Sequence, residues 1–265
     1  MKLKSKILLS LLATSSAAFA QTAPAPAAAP AAPETTIAYN VGVVSQYRYR
    51  GLAQTKGEPA IQAGVDYTRA NGAYLGVWAS TIRWIKDASS SDGTTAIYKG
   101  GPEVDLYGGY KFDTNGITYD FGLLRYQYLS NNYDYKSAYS NPNTTEAYIG
   151  IGMGAYSMKY SNALTDLFGY QNTNGSTYLE VAANYDLGSG ITLTPHIGRQ
   201  QVSGPTKTLS YSDYSLTVAK DFGGGISGTF GYVGTNGKNN SSLLSNKTSY
   251  NTAKDAVVVG IKYTF

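Results

Sequence analysis

The sequence predicts an all-β protein, an antiparallel transmembrane β-barrel of about twelve strands. Three observations predict it. The first is the final stretch, KDAVVVGIKYTF, from Lys254 to Phe265. Val257, Val259, Ile261, Tyr263 and Phe265 make one apolar face, and the interleaved Val258, Gly260, Lys262 and Thr264 are mostly small or polar. That is a period-2 strand, and an aromatic strand flush with a C-terminus is how an outer-membrane barrel is expected to insert and close. The second is composition. Charged residues are 14%, against roughly 25% in soluble domains, while Tyr numbers 25 and Gly 30. Mean hydropathy is −0.24, as expected when lipid-facing and interior residues alternate and cancel. The third is rhythm: short alternating segments are joined by connections that are tight and long in turn.

The start of the chain supplies an address. Lys2, Lys4 and Lys6 precede the apolar Ile7–Leu12, and Ala18-Phe19-Ala20 is a small-x-small cleavage site. Residues 1–20 read as a secretory signal peptide. Residues 21–34, nearly all Ala and Pro, read as a disordered spacer. Residues 35–265 remain for the barrel, with no later apolar run near the roughly 20 residues of a spanning helix. There is no Cys, which suits an exported envelope protein without disulfides. The net charge of +4 falls to about +1 without the three leader lysines, so the basic balance carries no nucleic-acid signal.

The strands follow in order. Thr36–Tyr47 puts Ile37, Tyr39, Val41 and Val43 on its apolar face. After a loop containing Gly51 to Glu58, Ala60–Arg69 alternates Ile61, Ala63, Val65 and Tyr67 with Gln62, Gly64, Asp66 and Thr68. Asn71-Gly72 is a strong hairpin signal, leading to Tyr74–Ile85. A polar loop, Lys86 to Gly100, precedes Pro102–Phe112. The turn Asp113 to Gly116 leads to Ile117–Leu129, with Ile117, Tyr119, Phe121 and Leu123 outward. A loop from Ser130 to Thr144 precedes the pair Thr145–Met153 and Ala155–Tyr160, which meet near Gly154. The loop Ser161 to Ser176 comes next. Thr177–Leu187 turns at Gly188-Ser189-Gly190 into Ile191–Val202. Beyond Gly204-Pro205, Tyr211–Phe222 turns at Gly223-Gly224 into Gly225–Gly234. A last Asn- and Ser-rich loop leads to the closing strand. Five tight turns face about six long loops, so an even strand count leaves both termini on the periplasmic side. A soluble β-sandwich does not predict this short/long alternation.

Part of the chain resembles a known family. The carrying pieces are Ser45-Gln46-Tyr47 with Arg50-Gly51, then Pro59 to Tyr67 (PAIQAGVDY), Gly72 to Ser80 (GAYLGVWAS) and Glu103 to Tyr110 (EVDLYGGY). These resemble the TorF-like family of outer-membrane porins, formerly conserved hypothetical proteins. The resemblance is dense over residues 38–112 and looser beyond, although length and aromatic ending match. It implies an outer-membrane barrel of porin type and names no solute.

If the apolar face meets lipid, the interior receives Asp66, Glu103, Asp105, Lys111, Asp120, Glu146, Lys159, Glu180, Asp186, His196 and Lys262. Charges at membrane depth need a polar interior, so these are the candidate pore-lining residues. Carboxylates outnumber lysines among them, which hints at cation preference unless the arginines reverse it. Gly64, Gly76, Gly109, Gly122, Gly150, Gly152 and Gly198 fall on or near the same face and are expected to leave bore. Twelve strands lie between the solid eight-strand barrel and the open sixteen-strand porin. The interior is therefore either a narrow water-filled pore or a plug of paired charges. Arg48, Arg50, Arg69 and Arg83 are expected at the mouth or membrane rim. The tyrosines, Trp78 and Trp84 fit interfacial girdles better than sugar-stacking platforms. An enzyme is disfavoured: His196 is the sole His, and neither a Gly-x-Ser-x-Gly elbow nor a second metal ligand accompanies it. No cofactor is expected. The implied partners are lipid and lipopolysaccharide, the barrel-assembly machinery through the closing strand, and small solutes or ions. The alternative to a porin is a non-conducting barrel that acts through its extracellular loops.

Overall fold

The computed structural model describes residues 34–88, 98–135, 139–239 and 250–265. The expected signal peptide and nearly all of the expected spacer lie outside the described residues, as do parts of the second, third and sixth loops. Among the described residues twelve strands close into one antiparallel barrel. They are β1 (Thr35–Val44), β2 (Ala60–Arg69), β3 (Ala73–Ser80), β4 (Glu103–Thr114), β5 (Ile117–Tyr128) and β6 (Thr144–Met153). Then come β7 (Tyr156–Ala163), β8 (Thr177–Ala183, continued by Tyr185–Gly188), β9 (Ile191–Gln201), β10 (Tyr211–Gly223), β11 (Ile226–Thr235) and β12 (Ala256–Thr264). Each strand pairs with its sequence neighbours, and β12 pairs back onto β1. Closure leaves no open edge, which is the condition for a sheet to survive in hydrocarbon. No helix among the described residues is long and apolar enough to cross a membrane.

The predicted strands are present with shifted ends: β4 runs on to Thr114 and β7 to Ala163, past the expected Phe112 and Tyr160, and two strands stop early. β1 ends at Val44 rather than Tyr47, and β3 at Ser80 rather than Ile85. In both places the chain leaves the wall and turns over the lumen. The first loop, L1, then forms its own small hairpin, and the second loop, L2, opens with a helical turn at Trp84–Asp87.

Alternation decides which face is which. The outward set is apolar and exposed around the whole circumference, with Leu75, Leu123, Ile197 and Phe222 all more than half exposed. A water-soluble protein does not carry a continuous apolar belt of this extent. The inward set is polar and buried. The closing seam is reinforced at its end. The Phe265 amide donates to the Tyr39 carbonyl at 2.9 Å, the Tyr39 amide donates back at 2.9 Å, and the two rings stack with centroids 5.7 Å apart. The terminal phenylalanine thus clamps the last strand to the first.

Candidate functional site: the barrel interior and its inserted loop

L1 does not remain outside the barrel. Arg48–Tyr49 pairs with Leu52–Ala53, and Arg50-Gly51 forms the two-residue tip. Both tip residues have positive φ, 45° and 82°, the backbone of a type I′ hairpin turn. Gly51 is required twice over: its φ is left-handed, and a Cβ there would lie 2.8 Å from Asp213 Cβ. The tip crosses the lumen from β1 to the opposite wall. There Arg50 donates to both oxygens of Glu146 on β6, at 2.9 and 2.7 Å, and to Gln200 Oε1 on β9 at 2.7 Å. Its guanidinium also lies 4.1 Å over the Tyr178 ring and 4.9 Å over Tyr49. Around the tip, Tyr49 Oη meets Tyr126 Oη at 2.7 Å, and Tyr47 Oη donates to Glu103 at 2.6 Å. Arg48 ties the hairpin base to L1 and the sixth loop, donating to the carbonyls of Gly51, Thr252 and Lys254 at 3.2, 3.0 and 2.8 Å. Arg50 is 2% exposed, so it stands inside the barrel rather than at a solvent-facing rim. The rim expectation treated Arg48 and Arg50 as strand residues, whereas the strand had already ended.

Below this hairpin lies a second layer. Lys159 Nζ is 3.0 Å from Glu180, whose other oxygen is 3.2 Å from His196 Nε2, and His196 Nδ1 is 3.6 Å from Asp213. Tyr178 Oη donates to Asp213 at 3.0 Å. Lys111 Nζ stands 3.8 Å from Asp120, which accepts a 2.6 Å bond from Tyr74. Asp66 accepts from the Tyr107 hydroxyl. Lys262 is buried in the interior with Asp66 as its opposite charge. Glu103 and Asp105 lie next to each other on the inner face of β4, and Asp105 Oδ1 is buried with no hydrogen-bond partner. Ten of the eleven interior candidates are thus buried or half-buried inside the wall. Asp186 is the exception. It is exposed at the tight turn between β8 and β9, where its Oδ1 accepts from the Gly188 amide at 2.8 Å. Its parity is inward, but the strand has reached the barrel end. Arg69 is exposed at the end of β2. Arg83 sits in L2 between Glu58 and Asp87, 3.4 Å from the latter.

Several of the inward glycines do not leave bore. Gly64 faces Trp78, Gly76 faces Tyr107, Gly109 faces Tyr74 and Gly122 faces Tyr148, each as a direct cross-strand pair. A Cβ on Gly76 would lie 2.2 Å from Cζ of Tyr107, so the ring lies in the space a side chain would take. Aromatic side chains lying over glycines on the neighbouring strand are a known device for pinning register. Here it lays hydroxyl-bearing rings along the lumen wall.

The girdle expectation fails for both tryptophans. Trp78 points inward and meets Tyr47 edge-on at 5.4 Å, and Trp84 packs over the lumen mouth against Tyr128 and Tyr133. Trp78 shares parity with Gly76 and Ser80, not with the outward Leu75 and Val77. The tyrosines divide: Tyr39, Tyr156, Tyr232 and Tyr263 face outward, whereas Tyr126, Tyr128, Tyr178 and Tyr211 are interior.

Residues 27–265 match the family model described as "Bacterial protein of unknown function (Gcw_chp)". The chain belongs to this family. Among solved structures, the fold is similar to the KdgM porin in complex with disordered oligogalacturonate. The TM-score is 0.50 and identity 9%, over 87% of this chain and 99% of that one. It is also similar to the NanC porin, with TM-score 0.51 and 11% identity, over 86% and 99%. At such identity the likeness establishes the fold alone, a closed antiparallel barrel of the kind seen in those porins. No curated protein matches the chain.

Sequence reasoning missed Asp213, Gln200 and the interior tyrosines. Parity alone could have found Asp213, since it shares a face with Ser215 and Thr217 on β10. The meeting of Arg50 with Glu146 and Gln200 left no local signal, because it joins residues 96 and 150 positions apart.

Proposed function

We propose that this protein is a TorF-like porin of the bacterial outer membrane, passing small hydrophilic solutes or ions through a lumen narrowed by L1. The observation that carries this reading is a polar, charged interior crossed by an anchored hairpin inside a wall that is apolar all round. A purely structural barrel has no need to hold ionised groups at membrane depth. On this reading the signal peptide is removed on export and both termini face the periplasm. The apolar belt meets lipid and lipopolysaccharide, and the closing strand Val257–Phe265 engages the assembly machinery.

The charge pattern supports a preference for cations. Arg50, Lys159 and Lys111 each have a carboxylate partner. Among the described residues Glu103 and Asp105 have tyrosine neighbours and no Lys or Arg ion pair. A lumen of this sign does not suit a polyanion such as the oligogalacturonate seen with KdgM.

Single-channel recording on the refolded mature chain tests the proposal, alongside Glu103→Ala/Asp105→Ala. Discrete openings with cation preference that weakens in the variant are expected. A folded barrel silent at every voltage sinks the channel. A second reading, a closed barrel working through its loops, is favoured by one observation: Asp120, Glu103 and Glu146 are all 2% exposed or less. Unchanged solute uptake in a deletion strain, with loss of a surface phenotype on loop removal, would select it.

A further inference from the structure

The wall sorts its charges by side. Every Asp and Glu within the twelve strands has inward parity, whereas the outward positions hold Arg69, Arg125, Arg199 and Lys220. Hydrocarbon penalises Arg and Lys at least as much as Asp and Glu, so the sorting has another cause. Arg69 and Lys220 stand beside the tight turns, and Lys220 Nζ donates to the Ser189 carbonyl. Arg125 and Arg199 stand towards the opposite, loop-bearing end, on β5 and β9.

These two arginines share one constellation. Each is followed two residues on by an outward Gln, Gln127 or Gln201. Each faces a hydroxyl residue directly across the sheet, Thr145 on β6 or Ser212 on β10. Arg125 Nη1 donates to Thr145 Oγ1 at 2.9 Å, and Arg199 Nη1 to Ser212 Oγ at 3.3 Å. Arg125 Nε also donates to Gln127 Oε1 at 3.4 Å. All three acceptors are neutral, and no ion pair among the described residues includes Arg125 or Arg199. The residues outside the description between 35 and 265 add one carboxylate, Asp92. Of a guanidinium's five N–H groups, Arg125 thus commits two and Arg199 one. The neighbours orient each guanidinium without neutralising it.

Both constellations lie at the depth of the L1 hairpin. The inward residue between Arg125 and Gln127 is Tyr126, and between Arg199 and Gln201 it is Gln200; each bonds to the hairpin from the wall. The outward position one step nearer the tight turns is apolar in both strands, Leu123 at 55% exposure and Ile197 at 63%. Each strand therefore passes directly from hydrocarbon-facing side chains to Arg-x-Gln, which puts the guanidinium where the apolar belt ends. There an arginine is cheap, whereas at the bilayer midplane it is costly. Its planar fork of N–H groups matches phosphate oxygens, and the amide and hydroxyl beside it offer further neutral donors. Two such sites on a face whose strands carry no carboxylate fit an anionic, phosphate-bearing layer.

We infer that Arg125 with Gln127 and Thr145, and Arg199 with Gln201 and Ser212, are two binding sites for the phosphates of lipid A, the phosphorylated glycolipid of lipopolysaccharide. This rests on the reading above that the long loops face outside, which selects the outer leaflet and with it lipid A over phospholipid. Native mass spectrometry of the folded barrel in neutral detergent, titrated with bisphosphorylated lipid A, tests it without using current. Two saturable adducts are expected. Dephosphorylated lipid A should give neither, and phosphatidylglycerol should bind about tenfold more weakly or worse. Arg125→Gln and Arg199→Gln should each remove one adduct, lowering affinity there about tenfold or more, and Arg69→Gln should remove none. Equal binding of dephosphorylated lipid A or of phosphatidylglycerol overturns the proposal. So do adducts that survive in Arg125→Gln/Arg199→Gln, are lost in Arg69→Gln, or are displaced by equimolar inorganic phosphate. The comparison of lipids on the unaltered protein decides even where a variant does not refold. Two adducts on a folded barrel that does not conduct would reject the channel and keep the sites; a conducting barrel without them would do the reverse.

Discussion

Replacing Arg50 with Ala removes the group that holds L1 across the lumen. The guanidinium makes three hydrogen bonds of 2.7–2.9 Å, to Glu146 and Gln200, and stacks on Tyr178. Removing one partner of a buried ion pair costs about 3–5 kcal/mol, because the other charge is left unpaired. Here that other charge is Glu146, 2% exposed. The barrel does not bear this cost, since its closed ladder of twelve strands is independent of Arg50. The cost falls on the hairpin, whose remaining anchors are the Tyr49–Tyr126 and Tyr47–Glu103 bonds and the Arg48 clamp, at about 1 kcal/mol or somewhat more each. At 1.4 kcal/mol per tenfold, the displaced hairpin should rise in population by about a hundredfold to a few thousandfold. Hydrogen exchange at the amides of Tyr49 and Leu52 should accelerate by that factor. If the protein conducts, single-channel conductance should rise as well. Arg69→Ala, at an exposed strand end, is the control and should change neither. Exchange at the wild-type rate in Arg50→Ala, in a barrel shown to be folded, would refute the claim that this pair holds the loop.

Two further variants test the wall. Gly76→Ala forces the Tyr107 ring off the wall and should lower stability by about 1–3 kcal/mol, read as the urea midpoint of the refolded barrel. On a Tyr107→Ala background the same change should be nearly silent, and additive effects would show that the ring does not use the glycine's space. Leu123→Arg, mid-strand on the outward face of β5 and 55% exposed, should destabilise the lipid-embedded barrel by about 2–4 kcal/mol. A neutral result in the same titration would mean that this face does not meet hydrocarbon.

Much of the architecture was determined by the sequence by itself. Period-2 alternation on β2, β5 and β12 assigns each side chain to a face without knowledge of any other strand, because successive residues on a strand point opposite ways. The turns at Asn71-Gly72, Asn115-Gly116 and Gly188-Ser189-Gly190 are equally local, since they depend on positive φ at named residues. Strand number, order and closure follow from such signals together with the tight/long alternation. Only the tertiary structure decided what fills the lumen. A tyrosine at an inward position looks the same in sequence as one at an interfacial girdle; the glycine opposite it, 31 positions away for Tyr107 and Gly76, makes it a lining ring. Nor does Arg50-Gly51 announce that it will turn inward rather than outward. That outcome depends on Glu146, Gln200, Tyr178 and Phe168, contributed by four different segments of the wall and loops. Faces are a property of neighbouring residues along the chain, so the sequence carries them. The interior is a property of residues brought together only when the barrel closes.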